Sequence, residues 1–377
     1  MHNKRIAIFL PSLNGGGAER VMVTLANAFA ARGFEVDLVL ALAQGPYLQN
    51  VRTGVRVVDL KAGRVLKALL PLACYLRRER PAAMLAAMTH ANVVAILAHM
   101  VARVSTRLVI SERTTISVEA NRARGLVERS IYTLVPMLYR RPDRIVAVSQ
   151  DVATDLLRFA RLPESAVEFI YNPFDLELIQ QRAAERFGHP WFELGQPPVV
   201  LAIGRLNQAK DYPMLIRAFA RLRAERRALR LMILGEGELR PMLESLIAEC
   251  GLGANEVQLP GFVANPFAYL SRCAVFVLSS RYEGLPGALI EAMACGVPVV
   301  STDCPSGPRE ILEGGRWGTL VPIGDVDAMT KAIASVLSQH RHQLPSVTTR
   351  AADFESGKAV DAYLNVLGFV PVEVGSR

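Results

Sequence analysis

The feature that most limits how this chain can fold is an alternation of hydrophobic period that runs through two successive halves. In the first half, short apolar runs at residues 5–10, 36–41, 55–60, 83–88, 107–111, 144–148 and 167–171 are separated by stretches at 18–31, 65–78, 92–103 and 150–159 with helical spacing. Apolar runs of this length read as strands, and helices between them allow the strands to run parallel, so a doubly wound α/β sheet is expected. A second series follows, with strands at 199–204, 229–234, 257–259, 274–279, 297–302 and 319–321. Asn172-Pro173-Phe174-Asp175 closes the first half, and the irregular, polar segment 179–198 reads as the connection. The expected organisation is therefore a first domain over 1–178, a linker over 179–198, a second domain over 199–348, and a C-terminal helix (about 350–367) with a tail over 349–377. The full length of 377 residues exceeds one ordinary core and agrees with two domains. Sheets of this type bind ligands beyond the carboxyl ends of their strands, so a cleft between the halves is the expected place for chemistry.

Composition narrows the partners. A hydrophobic fraction of 51% with 21% charged residues excludes a disordered chain. The net charge of +8 favours something anionic, whether nucleic acid, lipid headgroups or a phosphorylated substrate, and charge alone does not choose among them. The five cysteines form no CxxC pair, so they read as reduced core residues and not as a zinc site. The run beginning RIAIFLPSLNGGG reads as a first strand, not a signal peptide. Residues 81–102 lack Asp, Glu, Lys and Arg, but Thr89-His90-Ala91-Asn92 divides them into a strand and a helix, neither long enough to span a bilayer.

Several loops carry residues suited to a phosphorylated, hydroxyl-bearing ligand. Glu283 stands in a Gly- and Pro-rich turn, and Glu291 follows inside an apolar helical stretch. A desolvated carboxylate needs a cation, backbone donors or ligand hydroxyls, so a buried ion pair and a ligand site are both open readings. The start of that helix offers free N–H groups to a phosphate. Gly15, Gly16 and Gly17 lie between a strand and a helix, where backbone can approach a ligand closely; turn chemistry alone also explains them. Arg205 and Lys210 follow the first strand of the second half and can neutralise a diphosphate, although surface cations are usually solvated. Gly235, and Phe262 with Val263, end the next two strands and can frame a planar base. Asp325 and Asp327 have a spacing that can hold Mg²⁺, but Asp325 directly precedes a helix and reads as an N-cap. His340 and His342 lie in a polar segment and read as exposed, and His90 ends a strand as either a structural or a catalytic histidine.

The motifs SLNGGGAER at 12–20, VSQD at 148–151, IYNPFD at 170–175, GRLNQAKDY at 204–212, LGEGEL at 234–239 and EGLPGALIE at 283–291 occur in this order. With them the chain resembles the family 4 retaining glycosyltransferases of the GT-B fold, from residue 5 to about 367. The resemblance implies two Rossmann-like domains facing across a cleft, with a C-terminal helix packing back on the first. It implies a nucleotide-sugar co-substrate, expected here to be uridine-linked, with no other cofactor, no essential metal and no nucleic-acid partner. Glu291 would bind the ribose hydroxyls, Glu283 would lie against the donor sugar, and Arg205 and Lys210 would hold the diphosphate. Backbone N–H groups near Leu285 and in the 15–17 loop would assist, while Gly235, Phe262 and Val263 would line the base. Relatives often carry a histidine where this chain has Ser111-Glu112-Arg113-Thr114, so Glu112, Arg113 or His90 is the candidate for the sugar or acceptor contact.

Two arginine-edged apolar stretches in the first domain point to an anionic bilayer surface. ALLPLACYL is flanked by Arg64, Lys67, Arg77, Arg78 and Arg80; IYTLVPMLY is flanked by Arg122, Arg124, Arg129, Arg140, Arg141 and Arg144. The expectation is an enzyme at the cytoplasmic face of the inner membrane that acts on a polyprenyl-diphosphate-linked or other cell-surface glycan. The alternatives are a sugar-nucleotide epimerase of the same architecture and a non-catalytic glycan- or nucleotide-binding protein.

Overall fold

A computed structural model describes residues 4–14, 16–123, 125–225, 228–339 and 345–369. The chain divides into two compact units: residues up to 173 together with those from 356 onward, and residues 174–355.

In the first unit the strands are β1 (Arg5–Leu10), β2 (Glu35–Leu40), β3 (Val55–Asp59), β4 (Ala83–Ala87), β5 (Arg107–Glu112), β6 (Arg144–Ala147) and β7 (Val167–Phe169). All pair in parallel in the order β3-β2-β1-β4-β5-β6-β7, the doubly wound sheet expected. The helices are α1 (Gly17–Ala31), α2 (Leu69–Glu79), α3 (Thr89–Ala102), α4 (Ile116–Arg122), α5 (Leu126–Leu138), α6 (Gln150–Ala160) and, at the far end of the chain, α15 (Ser356–Val366). Because successive strand residues point to opposite faces, β1 supplies both cores. Ala7 and Phe9 pack with Leu72, Leu76 and Tyr139, whereas Ile6, Ile8 and Leu10 pack with Phe29, Tyr363 and Leu364. The C-terminal helix thus covers the same sheet face as α1, held also by Arg107, whose Nε donates to the Val366 carbonyl at 2.7 Å.

The second unit has β8 (Val199–Ile203), β9 (Arg230–Leu234), β10 (Val257–Gly261), β11 (Val275–Leu278), β12 (Val299–Thr302) and β13 (Thr319–Val321), again all parallel, in the order β10-β9-β8-β11-β12-β13. Its helices are α7 (Leu176–Ala183), α8 (Tyr212–Glu225), α9 (Arg240–Glu249), α10 (Phe267–Leu270), α11 (Gly287–Ala294), α12 (Pro308–Ile311), α13 (Val326–Ser338) and α14 (Val347–Ala351). Val200, Ala202, Ile233 and Val277 face Leu215, Phe219, Met329 and Ile333 on one side of this sheet.

The expected boundaries differ from these units in two places. The segment read as a linker over 179–198 belongs to the second unit: α7 packs on α10, Asn265 Nδ2 donates to the Arg182 carbonyl at 2.9 Å, and Ser271 Oγ donates to that of Ala183 at 3.1 Å. The crossing lies between Pro173 and Phe174, and the return crossing between Glu355 and Ser356. The single helix expected near 350–367 is also broken. A 3₁₀ turn at Ala352–Phe354 and extended Glu355 (ψ 143°) separate α14 from α15, so the same segment serves both units.

Smaller expectations resolve as follows. Asp325 caps α13, its Oδ1 accepting from the Ala328 N–H at 2.9 Å, and Asp327 pairs with Arg221. Residues 81–102 form β4 and α3, and no helix among the described residues is long and apolar enough to cross a membrane. Cys74 is exposed rather than buried, whereas Cys273 and Cys304 are core residues. His340, His342 and Arg124 lie outside the described residues, as does Gly15.

Candidate active site

The second unit gathers the donor-site candidates at the carboxyl ends of β8, β9 and β11. After β8 the chain passes Gly204 and reaches a 3₁₀ turn, Gln208–Lys210, which presents Lys210. Asp211, left-handed at φ 44°, then turns the chain into α8. The loop leaving β11 is fastened to this turn at three points. Arg281 N–H donates to the Ala209 carbonyl at 2.7 Å, Ser279 Oγ to the Lys210 carbonyl at 2.7 Å, and Arg281 Nε to buried Asp211 at 2.9 Å. Thr302, ending β12, donates its hydroxyl to the Ser280 carbonyl at 2.6 Å.

This framework sets Lys210 Nζ 2.6 Å from Glu283 Oε1, and Ser280 Oγ donates to the same oxygen at 2.6 Å. The two charged side chains are 20% and 13% exposed, enough removed from water for their charges to act strongly on whatever enters beside them. Neighbouring groups register that field. The Cys304 thiol is pushed up to about 12, first by burial and then by the Glu283 charge, with Lys210 opposing. The Tyr212 hydroxyl titrates far above an ordinary phenol, mainly through burial and secondarily through Glu283. That hydroxyl and Asn207 Oδ1 are buried without a hydrogen-bond partner among the described residues.

Arg205 is exposed on the same loop, and its guanidinium makes no ion pair among the described residues. Glu291 lies inside α11, 4% exposed among Leu289, Ile290, Ala292 and Met293. Its charge is felt by Cys295, whose thiol is pushed up to about 12 by burial first and by Glu291 second. Leu285 is buried in the turn ahead of this helix, where Gly307 (φ 101°) passes so close that a Cβ would stand 2.4 Å from Pro286 Cδ.

Gly235 is where the β8 and β9 loops meet. Its N–H donates to the Gly261 carbonyl at 2.8 Å, tying it to the strand end that precedes exposed Phe262 and half-buried Val263. At φ 139°, a Cβ on Gly235 would stand 2.1 Å from the Gly204 carbonyl oxygen, which no flexible side chain can relieve. Gly235→Ala is therefore expected to destabilise the protein by about 1–3 kcal/mol, since the backbone must shift to admit the methyl. Thermal unfolding checks this, with Gly188→Ala, where a Cβ meets nothing within 4 Å, as the silent control.

The first-unit candidates divide differently. Gly16 stands at the N-cap of α1, but the Glu19 carboxylate folds back beside it, with Oε2 2.0 Å from the place a Gly16 Cβ would take. Glu112 is fully buried. It accepts from Thr89 Oγ1 and Asn92 Nδ2, each at 3.0 Å, and from Tyr139, while burial raises its pKa. Arg113 is also buried, donating to Asn172 Oδ1 at 2.6 Å and to Tyr363 of α15 at 3.2 Å. Both are thus internal anchors: Glu112 gathers the polar Thr-His-Ala-Asn segment, and Arg113 ties the C-terminal helix to β5. His90, expected at a strand end, lies instead in the first turn of α3, because α3 begins at Thr89. It is half-buried, and burial lowers its pKa against the opposing charge of Glu128.

Sequence reading gave no role to Ser279, Ser280, Asp211 or Tyr212, although the last two lie in the GRLNQAKDY motif. Paired hydroxyls immediately after a strand and an aspartate beside the lysine were the available signals.

Models of two glycosyltransferase families match the chain: Glycosyltransferase Family 4 over residues 15–178, and Glycosyl transferases group 1 over residues 197–339. The N-acetylgalactosamine-N,N'-diacetylbacillosaminyl-diphospho-undecaprenol 4-alpha-N-acetylgalactosaminyltransferase of Campylobacter jejuni is 33% identical, across 97% of this chain and all of the relative. The lipopolysaccharide core biosynthesis glycosyltransferase LpsE of Rhizobium meliloti is 27% identical, across 94% of this chain and 97% of LpsE. Among solved structures, Anabaena HepE in complex with UDP and glucose superposes with a TM-score of 0.77 at 21% identity, across 97% of this chain and 99% of HepE, a likeness of fold. With its two Rossmann-like units and these matches over nearly its whole length, the chain belongs to the group 1, family 4 glycosyltransferases of the GT-B fold.

Proposed function

We propose that the enzyme transfers a sugar from a UDP-sugar, with retention of anomeric configuration and without a divalent metal, to a lipid-linked or cell-surface glycan at the cytoplasmic face of the inner membrane. The observation that carries this reading is the contact of Lys210 with Glu283 at 2.6 Å, at the strand ends where Arg205 is exposed without an ion-pair partner among the described residues. Two related names support the substrate classes. The Campylobacter relative is named for an acceptor on diphospho-undecaprenol, and HepE was solved with UDP and glucose.

In this reading, Lys210 and Arg205 neutralise the diphosphate, the charge that a metal would otherwise meet. Glu291 takes the ribose hydroxyls, Glu283 orients the donor sugar while Ser280 fixes its carboxylate, and Gly235, Phe262 and Val263 line the base. The N–H groups around Leu285 assist with the phosphates. The bond from the anomeric carbon to the diphosphate breaks, and the acceptor oxygen attacks the same face. Its proton passes to the departing phosphate oxygen, so no separate protein base is required. His90 is the first-unit candidate for a sugar contact, since Glu112 and Arg113 are internally engaged.

Incubating the protein with a panel of labelled nucleotide sugars and lipid-linked acceptors tests the reading. Transfer of label from a UDP-sugar to an acceptor is expected. Release of an altered nucleotide sugar without transfer would instead identify an epimerase and overturn it.

A further inference from the structure

Of the two arginine-edged apolar stretches, the structure turns most of one inward, leaving Leu70 as its exposed apolar side chain at 65%. Leu72, Tyr75 and Leu76 of α2 are buried, Arg77 donates to the Val101 carbonyl at 2.6 Å, and Arg78 pairs with Glu79. The other stretch is built differently. Val135 and Leu138 anchor α5 in the core, while Leu126, Val127, Leu134 and Met137 are 87%, 60%, 36% and 61% exposed. At roughly 100° per residue these four fall within about 100° of the helix circumference, forming one outward, mainly apolar strip in which exposed Ser130 is the polar member. Exposed strips of this kind mark interaction surfaces.

Beside the strip, two adjoining grooves of about 770 and 620 Å³ run along α4, α5 and α6, sharing Pro136 and Arg161. Arg129, Arg140, Arg141 and Arg161 line them. No carboxylate pairs with any of the four among the described residues. Among the described residues, the side-chain bonds of Arg129 and Arg140 go to backbone, at the Ala123 carbonyl (3.1 Å) and the Arg161 carbonyl (3.4 Å), and not to a carboxylate.

We propose that this face of α5 seats on a lipid bilayer containing anionic phospholipids, with Leu126, Val127, Leu134 and Met137 entering the acyl boundary and the groove arginines holding headgroup phosphates. Arginines alone would fit any phosphate, and an apolar strip alone any apolar partner. The two side by side on one helix match a layer whose phosphates lie just above its hydrocarbon. This specifies the membrane partner of the function proposed above and rests on that reading for its purpose. Binding, however, is measured with neither donor nor acceptor, so either proposal can fail without the other.

The full chain is sedimented with phosphatidylglycerol-rich or pure phosphatidylcholine vesicles, at low and high salt and with inorganic phosphate as competitor. Binding to the anionic vesicles, weakened by salt, is expected. Arg140→Ser with Arg141→Ser lowers the partition about 30-fold, roughly fivefold for each cation removed from the surface. Leu126→Ser with Met137→Ser lowers it at least about tenfold even at low salt, since each apolar side chain loses its burial. Circular dichroism and thermal unfolding, unchanged in both variants, show that they fold. Three outcomes overturn the proposal: no binding by the parent chain, equal binding by parent and variants, or competition by phosphate with the strip variant unaffected, which indicates a phosphate pocket alone. A concentration-dependent dimer abolished by the strip substitutions also overturns it, by assigning the face to a second copy.

Discussion

Lys210→Ala lowers the turnover of sugar transfer by about 10²–10³-fold while changing the donor KM by less than about tenfold, the pattern expected when a preorganised cation meets charge that develops mainly in the transition state. The geometry motivates the magnitude. Lys210 reaches Glu283 at 2.6 Å from a turn fixed by the Ser279 and Arg281 contacts, so the ammonium needs little rearrangement on donor binding. Removing it also takes the Lys210 contact from Glu283, which keeps that of Ser280. If the two charges act as a unit, Lys210→Ala in a Glu283→Gln background costs much less than in the parent. Steady-state kinetics of the single and double variants check this, and a turnover within threefold of the parent for Lys210→Ala would remove Lys210 from the machinery.

The second large effect is on nucleotide affinity. Glu291→Ala weakens UDP binding by about tenfold to hundredfold, the range for losing hydrogen bonds to a charged, buried acceptor. The residue is 4% exposed on an apolar helix, so its carboxylate is held at the cost of desolvation. Glu291→Gln, which keeps the shape and one acceptor oxygen, loses less. Calorimetric titration with UDP distinguishes this from a packing effect. Glu291→Ala also lowers the unfolding temperature through the space it empties, whereas Glu291→Gln fills that space, so an affinity lost by Glu291→Gln with nucleotide-free melting close to the parent's isolates the ribose contact.

The architecture was legible because two kinds of signal agreed. Apolar runs at 5–10, 83–88 and 199–204 became parallel strands, since buried strands carry little polar alternation to confuse their reading. Glycines and charged groups after those strands marked the loops in which Lys210 and Glu283 meet. What stayed hidden depends on tertiary contact. Nothing local in GHPWFELGQPP shows that its preceding residues bond to Asn265 and Ser271, so a segment that looks like a linker is part of the second unit. Likewise, Glu112 and Arg113 look available after a strand, yet Asn92, Tyr139, Asn172 and Tyr363 engage them from distant parts of the sequence. Ser280 escaped notice because its role exists only through Glu283, three residues on.

The most direct measurement of the central claim is the anomeric configuration of the product formed from an α-linked UDP-sugar, read by proton NMR. Retention predicts an α-linked sugar on the acceptor, formed by the parent chain and lost with Lys210→Ala. A β-linked product would contradict the same-face mechanism, and an α-linked product made equally well by Lys210→Ala would contradict the site.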